Sequence, residues 1–184
     1  MIPPTVRGRK LSLNDWEGDD FVSGAGGKSV TCMDTAAGRM LAFAINGYVT
    51  LDGKTIRAAV HPHDVDGITM TQASLAIEAL SGRGIVQHRG WPLANVKTHL
   101  RYARGLIVIG MYSAIPRAYR HQAYADFAHA MWVSHTSAAT GNARRWDPLN
   151  PAIHEYGRWV PASVIWGFLA SLGNQCGFIQ LEPL

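Results

Sequence analysis

The sequence predicts an α+β fold, with helices near the N-terminus packed on one side of an antiparallel β-sheet. Three observations carry this. In the first half of the chain apolar residues recur at three- and four-residue spacing, the mark of amphipathic helices. Beyond Arg104 the apolar runs become short, continuous and rich in β-branched residues, as strands are. The two textures follow one another instead of alternating, so helices and sheet segregate.

Residues 1–30 hold Pro3-Pro4, Asn14, Gly18-Asp19-Asp20 and Gly24-Ala25-Gly26-Gly27. This punctuation reads as an irregular arm ahead of a domain over 31–184. Met33, Ala36, Ala37, Met40, Leu41 and Ala44 then describe a helix that starts at Cys32 behind a possible Thr31 cap and stops near Asn46-Gly47. A second helix is expected from Thr69 to Leu80, with Met70, Ala73, Ile77 and Leu80 on one face. A third opens at Trp91-Pro92 and aligns Leu93, Val96, Leu100 and Ala103. Strands follow: Leu106 to Tyr112 as a central one, then Phe127 to Ser134. Asn142 to Trp146 comes next, reached through the Gly141-Asn142 turn. Asp147-Pro148-Leu149-Asn150-Pro151 breaks the chain. Trp159-Val160-Pro161 leads into an apolar helix over 162–172, and Phe178 to Leu181 reads as a short edge strand.

At 184 residues and 47% hydrophobic, the chain suits one folded domain and excludes a disordered segment. No stretch reaches the roughly 18–20 apolar residues that span a bilayer. The polar, Pro-rich start Met1-Ile2-Pro3-Pro4 is unlike a signal peptide, so a soluble chain is expected. A net charge of +4 favours acidic partners such as cell-wall polymers, nucleic acid or anionic lipid. The charged fraction is only 16%, with no lysine-rich run, so charge says nothing about chemistry.

Three polar residues stand in unusual places. Cys32 opens a helix, where unpaired amides and the helix dipole favour a thiolate. His129 lies mid-strand between Ala128 and Ala130. Asp147 follows the next strand, where a hairpin partner returns beside His129. Thiolate, imidazole and orienting carboxylate are the parts of nucleophilic acyl transfer. Each has a plainer reading. A lone cysteine beside an apolar face is more often a small core residue, a strand histidine is usually structural, and Asp-Pro is a common turn. Their order and placement together favour chemistry.

Residues 30–172 resemble the papain-like cysteine peptidases of the bacteriocin-processing, double-glycine leader type. The matching pieces are Thr31-Cys32-Met33 ahead of Ala36 to Ala44, Gly105-Leu106-Ile107-Val108-Ile109, His129-Ala130-Met131-Trp132-Val133, Trp146-Asp147-Pro148-Leu149, and Trp159-Val160-Pro161 before the last helix. The resemblance implies Cys32 as nucleophile, His129 as general base and acid, and Asp147 as the group fixing its tautomer. The reaction it implies is amide hydrolysis through an acyl-enzyme, with no cofactor and no metal. Members of that family usually place a glutamine shortly before the cysteine and a glycine after it. Here residues 1–31 contain no glutamine and Met33 follows Cys32. Losing such an oxyanion donor costs on the order of 10²–10³ in rate.

Other clusters carry less. His61-Pro62-His63-Asp64 with Asp66 reads as a solvated loop before it reads as a metal site. Cys176 sits in a turn-like context, with a disulfide to Cys32 as the lesser alternative. Arg101, Arg104, Arg117, Arg120, Arg144 and Arg145, interleaved with Tyr102, Tyr119 and Trp146, read as a solvated basic face before a nucleic-acid surface. No phosphate-cradling loop or dinucleotide fingerprint occurs. Two functions follow as expectations. One is a cysteine hydrolase acting on peptide amides, with peptidoglycan cross-peptides as a fitting substrate and a phage as the natural setting, in the virion or the host cytoplasm. The other is a degenerate structural relative, such as a phage tail component, using residues 1–30 to contact neighbouring proteins.

Overall fold

The computed structural model describes residues 32–44, 56, 59–60, 68–100, 104–121, 126–137, 139–147, 157–173 and 176–182. The arm over 1–30, the Thr31 cap, the Asn46-Gly47 stop, the loop over 61–66 and the break over 148–151 lie outside these residues.

Helix α1 spans Cys32–Ala44, as its apolar spacing predicts. It is not one-sided, however. Every residue from 32 to 41 is buried, including the polar Asp34, Thr35 and Arg39, because the helix is enclosed between the sheet and a second helix. That helix, α2, spans Met70–Ser81. Thr69 caps it through a reciprocal box: its hydroxyl accepts from the Gln72 amide at 3.2 Å, and the Gln72 side chain accepts from the Thr69 amide at 2.9 Å. Ala73 and Ile77 of the expected face are buried, while Met70 and Leu80 pack at its margin.

Strand β1, Ile85–Trp91, follows in a stretch for which no element was expected. Helix α3 accordingly begins at Leu93 and runs to Leu100, with Trp91 in the strand. Then come β2 (Arg104–Met111), two 3₁₀ turns (Tyr112–Ala114 and Arg117–Tyr119), β3 (Ala128–Ser137) and β4 (Asn142–Trp146). Gly141 makes the β3–β4 turn at φ 65°, a conformation that glycine adopts without strain. A short strand β5, Arg158–Pro161, runs directly into helix α4, Ala162–Ala170, and β6, Cys176–Leu181, ends the order.

The six strands lie in the order β1-β6-β2-β3-β4-β5, with antiparallel neighbours throughout. This corrects the expected edge position of the last strand: β6 is interior, paired to β1 on one side and β2 on the other. Strand alternation sends side chains to two faces. Ile107, Ala130, Trp132 and Ile179 join α1 and α2 in one core. Leu106, Val108, Met131, Val133 and Phe178 join Val96 of α3 and Val164, Ile165, Phe168 and Leu169 of α4 in another. The N-terminal pair of helices therefore packs on one face as expected. The later helices do not share it; they cover the opposite face, since β2 and β3 are apolar on both sides.

Candidate active site

The hairpin of β3 and β4 brings the two members of the polar pair together. Its register sets Trp132 opposite Trp146, so the next residue, Asp147, falls beside Met131 and diagonally from His129. The His129 Nε2 and Asp147 Oδ1 are 2.9 Å apart, and both side chains are fully shielded from solvent. His129 lies edge-on to three aromatic rings: Tyr112 at 5.0 Å, Phe127 at 6.1 Å and Phe168 at 6.4 Å between centroids. Close approach makes this enclosure possible. On β2, Gly110 pairs with His129, and a Cβ on Gly110 would lie 2.2 Å from the Phe168 carbonyl oxygen. Only a residue without a side chain lets α4 descend so far onto the sheet.

The third group arrives from α1, which packs against β3. Cys32 is a buried, free thiol, which removes the alternative of a disulfide to Cys176. Asp147 engages Nε2, leaving Nδ1 as the other polar atom of the ring. This nitrogen makes no hydrogen bond within the described residues; Cys32 enters as a neighbour whose electrostatics favour the charged ring. Burial disfavours the imidazolium. Asp147, by charge and hydrogen bond, and Cys32 outweigh it and raise His129 to about 9.

Arg145 departs furthest from expectation. Placed with the solvated basic face by its sequence neighbours, it is instead fully buried. Arg145 and Asp147 are two positions apart on one face of β4's end, with Arg145 opposite Val133 across the hairpin. One guanidinium nitrogen donates to Asp147 Oδ2 at 3.3 Å and lies 3.3 Å from the Met131 sulfur. The other donates to the backbone carbonyl of Tyr119 in the second 3₁₀ turn. Burial, aided by Arg158, holds the guanidinium below its ordinary value, with Asp147 opposing the shift. Both oxygens of the carboxylate are thereby engaged, one by imidazole and one by guanidinium. Arg144 next to it does stay near the surface, its guanidinium 5.0 Å over the Trp146 ring.

Among the described residues no cluster of three or more His, Cys, Asp or Glu could hold a metal ion, and no helix is long and apolar enough to cross a membrane. The described groups are a buried thiol at the start of α1 and an imidazole held by a carboxylate on the β3–β4 hairpin.

No family model and no curated protein matches the sequence. Solved structures do match. One is described as a C39-like peptidase from Bacillus anthracis, with a TM-score of 0.53 and 13% identity over 84% of this chain and 90% of that one. Another is the peptidase domain of Streptococcus ComA, a bifunctional ABC transporter of a quorum-sensing pathway, at 0.52 and 12% over 84% and 93%. UfSP from C. elegans aligns at 0.52 and 13% over 90% of this chain, though over only 32% of its own. At such identities the likeness is one of fold: the chain has the papain-like fold seen in C39 peptidases.

Proposed function

We propose that the chain is a cysteine hydrolase that cleaves peptide amide bonds with Cys32 as nucleophile, His129 as general base and acid, and Asp147 as the residue orienting His129. One observation carries the reading: a buried imidazole held by a carboxylate at 2.9 Å on Nε2 while a helix-borne thiol interacts with the same ring. The thiol proton already rests on Nδ1, so a thiolate faces an imidazolium, and in the first step the sulfur attacks the scissile carbonyl carbon. The tetrahedral oxyanion meets the amides at the start of α1, which have no partner within the helix. His129 then returns the proton to the leaving nitrogen, the C–N bond breaks, and a thioester remains. Water, deprotonated by His129, attacks the thioester, and the thiol leaves with the proton.

The proposed substrate is the cross-peptide of peptidoglycan, in a phage or bacterial wall-degrading setting. The net charge of +4 supports an anionic polymer over a neutral peptide. The absence of glutamine before Cys32 favours a second reading, a relative of the leader-processing peptidases that retains the fold as a virion component without turnover. Isolated cell walls and synthetic cross-peptides, incubated with wild type and Cys32→Ala, separate the two. Release of free amino groups by wild type, lost in Cys32→Ala, is expected. No release by either protein, with both folded, leaves the structural reading in place.

A further inference from the structure

We propose that Arg145 is a positioning residue: its guanidinium keeps the Asp147 carboxylate ionised and turned toward the ring, so that the proton between the two rests on His129. The inference builds on the reading of Cys32, His129 and Asp147 as one site.

A buried carboxyl and a buried imidazole sharing one proton have two arrangements, an ion pair or a neutral pair. Away from water the neutral pair gains, because desolvation penalises both charges. A neutral pair places a protonated carboxyl against a neutral ring and leaves no imidazolium to face the thiol. A third charge decides the matter. Arginine is the cation that burial does not discharge, and Arg145 stands 3.3 Å from the carboxylate oxygen that His129 does not use. It is itself fixed. The Met131 sulfur lies 3.3 Å from the nitrogen that meets Asp147, and the Tyr119 carbonyl takes the other. With Oδ2 held by this fork, Oδ1 is the oxygen presented to Nε2.

The other ionisable groups facing the cluster come from every neighbouring element. Cys32 arrives on α1. From the 3₁₀ turns come Tyr112, edge-on to the His129 ring, and Tyr119, and from β5 comes Arg158. Arg158 repels Arg145 and sits with its guanidinium 5.5 Å over the Tyr119 ring. Arg145 is thus a permanent cation in direct contact with Asp147.

The test follows the proton directly. Nitrogen NMR of the histidine rings reports imidazolium or neutral imidazole for His129. Iodoacetamide alkylation of Cys32 from pH 6 to 9 reports what the thiol senses. Wild type is expected to show His129 as imidazolium at pH 7. Arg145→Met is expected to show a neutral ring at pH 7 and alkylation at pH 6 slowed about 100-fold, the lower end of what a proton-transfer partner contributes. Arg145→Lys, which keeps charge without the fork, is expected to retain the imidazolium. A folded Arg145→Met protein that keeps the imidazolium and the wild-type alkylation profile overturns the proposal, as does a folded Arg145→Lys protein that loses both. Should Arg145→Met not fold, the pair Asp147→Asn with Arg145→Met leaves no buried charge unpaired. Its alkylation profile must equal that of Asp147→Asn alone; any further change shows that Arg145 acts by another route. If wild type hydrolyses nothing, the hydrolase reading falls while the ring protonation still answers for Arg145.

Discussion

His129 is enclosed on every side, 1% exposed, and yet more basic than a histidine in water. Burial alone would make it less basic, so the difference measures what Asp147 and Cys32 do for the charged ring. The sign of the stability linkage follows. A folded value of about 9 against an unfolded 6.5 stabilises the native state fully below pH 6.5, and the contribution is lost as pH rises through 9. Urea midpoints of wild type and His129→Gln should therefore differ most at pH 6 and converge by pH 9.5; a constant difference would show that the ring is not protonated in the fold. At this scale the sequence marks Cys32, His129 and Asp147, because each has the wrong polarity for its place in a helix or strand pattern. It does not mark Arg145. Adjacent arginines in a five-residue strand look solvent-facing, and only the hairpin register and the Tyr119 turn, distant in sequence, decide which of the two is buried.

Elements with strong local signals are the ones that are legible. The apolar spacing of Met70, Ala73, Ile77 and Leu80 defines α2 within a residue at either end, and the β-branched run of β2 needs no context. The run Ile85–Trp91 is not legible as a strand: Gln87, His88, Arg89 and Gly90 interrupt it, which an edge strand tolerates because one side meets solvent. Arg158–Pro161 is too short to show a period. The contact between β2 and α4 is equally invisible in sequence, since a glycine in an apolar run announces no partner. Gly110→Ala puts a methyl group against the Phe168 carbonyl and is expected to cost about 1–3 kcal/mol, as overpacked sites do. Gly167 offers the comparison. It lies within α4 with open space where a Cβ would go, and Gly167→Ala should stabilise by about 0.5–1 kcal/mol. Urea melts of the two variants must move in opposite directions; equal shifts would mean that α4 does not press on Gly110.

At the scale of the molecule, the sheet is a partition with α1 and α2 on one face and α3 and α4 on the other among the described residues, and its order of strands departs from their order in the chain. The sequence supplies the strands but not their neighbours, because pairing partners follow from long-range packing. Strands β2 to β5 are consecutive and pair with one another through successive connections. By contrast, β1 waits for β6, its partner among the described residues, while α2 rests on β1 and α1 rests on α2. A chain ending at residue 175 should thus retain antiparallel structure in β2 to β5 yet expose Cys32 to iodoacetamide at the rate of an unfolded thiol; protection equal to that of the full chain would refute this dependence. The interior position of β6 also sets a schedule during synthesis. The sulfur proposed as nucleophile leaves the ribosome long before the strand that secures the wall behind its helix, so the proposed site comes together only after β6 has been made.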